Sequence, residues 1–435
     1  MVGAVNAALP TADCSLGIYR KISFRLTPLL AICYGVAYVD RVNVGFAALQ
    51  MNRDLKFSAS IYGLGAGLFF LSYAACEVPA NLLLLRFGAR RWIGRIMVTW
   101  GLLAAAMMLV RKPWEFYSIR LLLGAAEAGF FPGVVYYLTL WFPQRIRARA
   151  ISNFYVAIPL SVVFMASASG YLLDLNGRWG LTGWQWMFLI EAVPAVLLGI
   201  LVFGVLPNGP DDARWLSEDE RAFVAEQLAM EGDQTPETRS TLRETFRDRR
   251  VWQIAAFMFA NFIASYAYNF TAPLLIKEIT GFDNKTVGFI AAAISLVGAI
   301  AILTNGRLAS SRSSTYTCII LSGALIAFGC LGVGLFHSPV LMILCLALIP
   351  SFHNALFPPV YALAASFLAK RGAAGGLALI NSVGIVGGFI GPYYLGLAKD
   401  FLGSYQRGFL TISILCFVGI GVMMRLRIKM AASEL

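Results

Sequence analysis

Residues 120–153 read RLLLGAAEAGFFPGVVYYLTLWFPQRIRARAISN. An apolar helix carrying one arginine and one glutamate is predicted here, stopped by Pro143 and followed by the basic cluster Arg145, Arg147 and Arg149. Arg120 and Glu127 lie two helical turns apart, on nearly one face and roughly 10 Å from each other. If the helix crosses a bilayer, Glu127 falls near its middle. An ionisable group is costly there and by default marks a proton or substrate pathway. The arginines after Pro143 mark a cytoplasmic turn.

The whole chain supports the bilayer. Of its 435 residues, 59% are hydrophobic and 13% charged, with a mean hydropathy of +0.71. Too much apolar surface is present for a water-soluble core, so the fold class expected is an all-α polytopic membrane protein with the lipid bilayer as solvent. The net charge of +12 sits in short clusters between apolar runs, not along a solvated face, and nucleic acid is not the implied partner. The seven cysteines are scattered without a C-x-x-C pair. Reduced cysteines are expected, with no metal site and no disulfide framework. The first 25 residues lack an apolar h-region, so no cleavable signal peptide is expected. There is no H-E-x-x-H, no G-x-S-x-G and no P-loop. Nothing therefore calls for an enzyme, a catalytic residue, a cofactor or an ATP-driven pump.

Apolar runs of about 20 residues fall near 26–49, 59–85, 92–110, 115–141, 148–173 and 184–206. A polar stretch separates them from runs near 251–280, 286–305, 316–336, 339–368, 374–397 and 405–425. The expected architecture is twelve transmembrane helices in two six-helix bundles: a segment 1–25, a bundle 26–206, a central loop 207–250, a bundle 251–425 and a tail 426–435. With both termini in the cytoplasm, 24 of the 35 basic residues fall on inner segments and nine on outer loops, the bias expected of cytoplasmic loops. Ser217 and Glu220 form a capping box that opens a short amphipathic helix in the central loop, running to about Met230. The halves echo each other: FPGVVY (131–136) resembles FPPVY (357–361), and Asn153 has a counterpart in Asn381, at nearly equal offsets. Duplicated bundles explain this.

Several longer stretches resemble the major facilitator superfamily, and within it the anion:cation symporter family. These are YVDRVNVGFA (38–47), CEVPANLLLLRFGARRWIGRIMVTWG (76–101), the 120–153 stretch, GWQWMFLIEAVPAVLLG (183–199) and ALINSVGIVGGFIGPYYLG (378–396). The chain departs from the pattern at GRLASSRSSTY (306–316), which lacks the family's acid, and at Leu356-Phe357, where a Phe-Trp pair is usual. The resemblance implies a secondary active transporter of the inner (plasma) membrane, functional as a monomer, taking up a small organic anion, a carboxylate, with protons. Exchange or export on the same fold is the alternative.

Asp40 and Arg41 fall mid-span, where a structural ion pair is the plain reading. The resemblance implies proton coupling for Asp40 and anion contact for Arg41, whose donor fork matches a carboxylate. Glu127 lies among Gly124, Ala125, Ala126, Ala128 and Gly129, a surface open to close helix approach. The acid itself is read as a proton site, since burial favours its neutral form and a nearby arginine its anion. Arg120 is either a snorkelling structural residue or a gating, anion-attracting one. Tyr38, Tyr73, Asn153 and Asn381 are polar handles for substrate or ordinary interhelical hydrogen bonds. Asn381 opens a glycine run, Gly384 to Gly391, that would let its helix approach a neighbour or bend around a ligand. Tyr266 and Asn269 are weaker candidates of the same kind. Glu77 and Glu191 are read as helix-packing or hydrogen-bonding groups, and His353 as a satisfied buried imidazole in preference to a proton relay. Arg86, Gly88, Arg90 and Arg91 form a basic turn. The resemblance gives that turn a role in stabilising one conformation of a transport cycle.

Overall fold

A computed structural model describes residues 12–143, 146–147, 150–151, 154, 157–233, 247–308, 312–367 and 370–432. Among them there is no strand. The helices are α1 (Ala12–Asp54), α2 (Ala59–Phe87), α3 (Ala89–Ala106), α4 (Pro113–Glu127), α5 (Phe130–Thr139), α6 (Ala157–Leu173), α7 (Gly183–Val205), α8 (Glu218–Asp233), α9 (Arg249–Thr280), α10 (Asn284–Leu308), α11 (Arg312–Leu335), α12 (Pro339–Phe367), α13 (Lys370–Leu402) and α14 (Tyr405–Ala432).

The surface is inverted relative to a soluble protein. Leu82 and Leu85 of α2, Leu197 and Ile200 of α7, and Ile414 and Val418 of α14 face outward. Asp40, Arg120, Glu127, Glu191 and Asn261 are buried. Such a distribution suits hydrocarbon outside and a polar interior. Among the described residues nine helices are long and apolar enough to cross a membrane, and Ala157–Leu173 and Asn284–Gly298 are shorter apolar ones. The chain is thus a multi-pass membrane protein. α9 stands apart because Asn261, Ser265, Tyr268 and Thr271 break its apolar run, and it is buried along most of its length. It packs against α1, α12, α13 and α14, so its polar residues meet protein, not lipid.

Tight turns force neighbours to run antiparallel. Gly88 alone joins α2 to α3, with φ +82°, and Gly281 closes α9 in the left-handed region. Ser58 caps α2 by accepting from Ile61 N–H at 3.2 Å. α1 extends the span expected at 26–49 to 43 residues. At 1.5 Å per residue that is about 64 Å, twice a hydrocarbon core, so its amphipathic first turns project beyond the bilayer.

The capping box forms as expected: Glu220 N–H donates to Ser217 Oγ at 3.2 Å and Ser217 N–H to Glu220 Oε2 at 2.9 Å. α8 then docks on the first half. Lys21 Nζ pairs with Glu220 at 2.7 Å, Trp215 stacks on Trp141, and Phe223 and Val224 are buried.

The two halves meet along α2 and α13, α6 and α10, and α1 and α9. At the end carrying the 55–58, 281–283 and 403–404 turns they are in backbone contact. A Cβ on Gly63 would lie 2.3 Å from Pro392 O, and one on Gly288 2.2 Å from Ala166 O. Asp400 of α13 accepts from Ala59 N–H at 3.1 Å and Ser60 N–H at 2.8 Å, capping a helix of the other half. Lys285 pairs with Asp174 across the α6–α10 seam at 2.7 Å. This end, opposite the basic turns, is closed.

Candidate substrate and proton site

The helix expected to run unbroken through 115–141 is two helices. α4 stops at Glu127, Ala128 leaves helical geometry, and Gly129 has φ +84° before α5 begins. Only glycine adopts that backbone readily, and a Cβ there would sit 2.7 Å from Ala80 Cβ. The apolar run conceals this break, because Phe130 to Val135 continue the hydrophobic pattern without a polar stop. Non-helical backbone at membrane depth is tolerated only where protein or a cavity surrounds it. Glu127 occupies the last position before it.

Arg41 of α1 forms an ion pair with Glu127. Arg41 keeps 14% of its side chain exposed and Glu127 only 2%, so the arginine is the less buried member of the pair. Aromatic rings surround the cation: Tyr38 at 5.8 Å, Phe69 at 5.5 Å and Tyr73 at 5.4 Å. Tyr266, on α9 of the other half, also acts on Arg41 and touches Phe70 at 4.3 Å. The aromatic chain continues through Phe262, Phe357 and Tyr361, whose hydroxyl donates to Asn381 Oδ1 at 3.3 Å. Arg41, Tyr38, Tyr73, Tyr266, Tyr361 and Asn381 are therefore joined through one chain of aromatic contacts between the halves.

Asp40 and Arg41 do not pair with each other; neighbours on one helix diverge by about 100°. Asp40 instead accepts from Trp100 Nε1 at 2.9 Å and from Asn43 Nδ2 at 3.1 Å, and Asn43 also donates to Glu191 at 2.7 Å. Arg120 is buried and does not snorkel. It donates to Gly65 O at 3.3 Å and Ala66 O at 3.2 Å, tying α4 to α2, and lies 4.8 Å over Phe69.

Other expectations are modified. The glycines of α13 are filled by protein: a Cβ on Gly387 would meet Phe259 O at 2.8 Å, and one on Gly391 would meet Ile263 O at 2.4 Å. They serve close approach to α9, leaving no room for a ligand there. Rather than being satisfied, His353 is buried with Nδ1 lacking a hydrogen-bond partner among the described residues, edge-on to Phe262 and Phe357. Asn153, Arg145 and Arg149 lie outside the described residues; Arg147 donates to Phe142 O at 3.0 Å. In the basic turn, Arg90 N–H donates to Asn208 Oδ1 at 3.3 Å, Arg86 lies over Phe87, and Arg91 is exposed. This turn thus binds the start of the central segment.

A model of the Major Facilitator Superfamily matches residues 30–392 and 258–431. The chain belongs to that superfamily. A protein of Agrobacterium vitis named as a tartrate transporter is 39% identical over 409 residues, covering 94% of this chain and 91% of the relative. A quinolone resistance transporter of Acinetobacter baumannii is 37% identical, covering 94% of each. The fold matches that of a bacterial homologue of the human lysosomal transporter Spinster, solved inward-facing and occupied, with a TM-score of 0.74 at 14% identity over 93% of this chain and 96% of that one. This facilitator is a membrane transporter and not an enzyme.

Sequence reasoning missed Asn43 and Trp100, which read as an ordinary polar residue and an ordinary aromatic. For Asn43 a signal existed: it lies three residues after Asp40, on the same helix face.

Proposed function

We propose that this facilitator takes up a small organic anion, a carboxylate, with protons across the bacterial inner membrane by alternating access. Both termini and the 207–250 segment lie in the cytoplasm, the closed end faces outward, and the monomer is the working unit. The ion pair between Arg41 and Glu127 carries the reading. It joins Arg41, a mid-span cation ringed by aromatics, to a buried acid at a helix break.

An incoming carboxylate competes for Arg41 through bidentate hydrogen bonds. Glu127 then loses its cation. A buried carboxylate without a partner is costly, so it takes up a proton. Release of the anion returns Arg41 to Glu127 and expels the proton. Substrate and proton thus occupy the site together, the condition for symport. Asp40 is the second acid of the coupling apparatus. Tyr38, Tyr73, Asn381 and Asn153 orient the substrate, and Arg120 holds positive charge beside Asp40 and attracts anions toward the gate. The Arg86, Gly88, Arg90, Arg91 turn steadies one conformation through its hold on Asn208.

The test is uptake into proteoliposomes of a panel of tartrate, phthalate, hydroxyphenylacetate and hexonates under an inward proton gradient. Accumulation of one member that an uncoupler abolishes is expected. Accumulation that ignores the gradient, or no uptake of any carboxylate, contradicts the reading. The relative named for quinolone resistance favours export as a second reading, for which loss of cargo from preloaded vesicles against its gradient would be the result.

A further inference from the structure

Behind the Arg41 and Glu127 pair, the first half buries three carboxyl groups, Asp40, Glu127 and Glu191, and the Arg120 guanidinium, while Arg41 is half-buried and also faces Glu77. Glu127 is matched by Arg41. Asp40 feels Arg120 and accepts from Trp100 and Asn43. Glu191 of α7 has no cation in contact among the described residues. Its sole recorded partner is the Asn43 amide at 2.7 Å, and its other oxygen, Oε1, is buried and unpartnered. An ionised carboxylate in such a place would keep one uncompensated charge in a region of low dielectric. A carboxylic acid there is neutral, and its free oxygen can carry the proton.

Asn43 joins the two acids. One N–H goes to Asp40 Oδ1 and the other to Glu191 Oε2, so one amide nitrogen serves both carboxyls. Two acids held on one amide influence each other's protonation, and Asp40, which feels Arg120 and accepts from Trp100, is the one better placed to stay ionised. Among the described residues, the charged groups that act on it are Arg120 and Glu127 of α4, both on the Asp40 side, and α3 contributes the Trp100 N–H.

We propose that Asp40 and Glu191, bridged by Asn43, form a second proton-binding site, distinct from the Arg41 and Glu127 pair, which holds one resident proton on Glu191 while that pair is closed. The site already holds its proton before cargo arrives, leaving Glu127 as the acid that loads on exchange. This deepens the proposed function and rests on it for the role of the proton, though not for its presence.

Infrared spectroscopy of the purified protein at neutral pH, without cargo or gradient, reads the C=O stretch of protonated carboxyls and its shift in D2O. A failure here is therefore separable from a failure of transport. Wild-type protein should show one such band; Glu191→Gln should abolish it, while Glu127→Gln and Asp40→Asn keep it. Because glutamine has the charge of the protonated acid, Glu191→Gln should also fold with an unchanged unfolding midpoint. A band that persists in Glu191→Gln, or disappears in Asp40→Asn, would place the proton elsewhere. The absence of a band in wild type, or a Glu191→Gln protein that does not fold, would likewise overturn the proposal.

Discussion

Arg41 is held by geometry that a point charge cannot reproduce. One Nη of its guanidinium meets Glu127 while the cation lies near the rings of Tyr38, Phe69 and Tyr73, and a lysine ammonium offers an incoming carboxylate neither bidentate bonding nor a face to stack. Arg41→Lys is therefore expected to preserve folding and lower carboxylate uptake about tenfold or more. Uptake rates beside a thermal unfolding midpoint check this, and near-normal uptake would remove Arg41 from anion recognition. At this scale the sequence was informative where a residue was costly. Asp40, Arg41 and Glu127 stood out because ionisable groups in apolar runs need a reason. Asn43, Trp100 and Phe69 did not, since their importance comes only from which helix lies opposite, and pairing between distant helices is not written in local pattern.

At the level of elements, helices were legible from length and hydropathy, and α8 from its capping box. The break at Gly129 was not, because a glycine flanked by apolar residues satisfies the pattern of a continuous span as well as that of a broken one. The start of α1 at Ala12 was also missed, since its first turns are too polar to read as membrane. α8 supplies a pH test. Burial pushes the Glu220 carboxyl up, but Lys21 and the Ser217 N–H outweigh it and hold it below its ordinary value. A depressed folded value means that its contribution to docking is complete above the ordinary glutamate pKa of about 4.3 and is lost as pH falls through the folded value. The protection factors of amides 218–233, with the intrinsic exchange rate divided out, should therefore fall on acidification below about pH 4. In Glu220→Gln they should already be lower at neutral pH and respond less to acid. Protection indifferent to both changes would mean that the Lys21 link does not hold α8.

For the whole molecule, the two halves are sealed at one end by close-packed glycines and by Asp400, whose carboxylate caps α2 across the interface. These bonds exist only while that end is closed. Charge-assisted hydrogen bonds contribute about 1.5–3 kcal/mol each, so losing them should shift the balance of conformations by about tenfold or more toward an open end. Asp400→Ala, with spin labels at Lys56 and Arg407, should gain a longer-distance population; an unchanged distribution would deny the cap a role in gating. The six-and-six division and the echo of the two halves suggested such rigid-body motion, yet which end is shut depends on packing that no run of hydropathy records.

The central claim is that Glu127 exchanges a proton when a carboxylate displaces it from Arg41, and Glu127→Gln in proteoliposomes tests it most directly. The amide is neutral, like the protonated acid, so the account predicts that counterflow of the carboxylate persists while accumulation driven by a proton gradient is lost. Gradient-driven accumulation at the wild-type level by Glu127→Gln would contradict it.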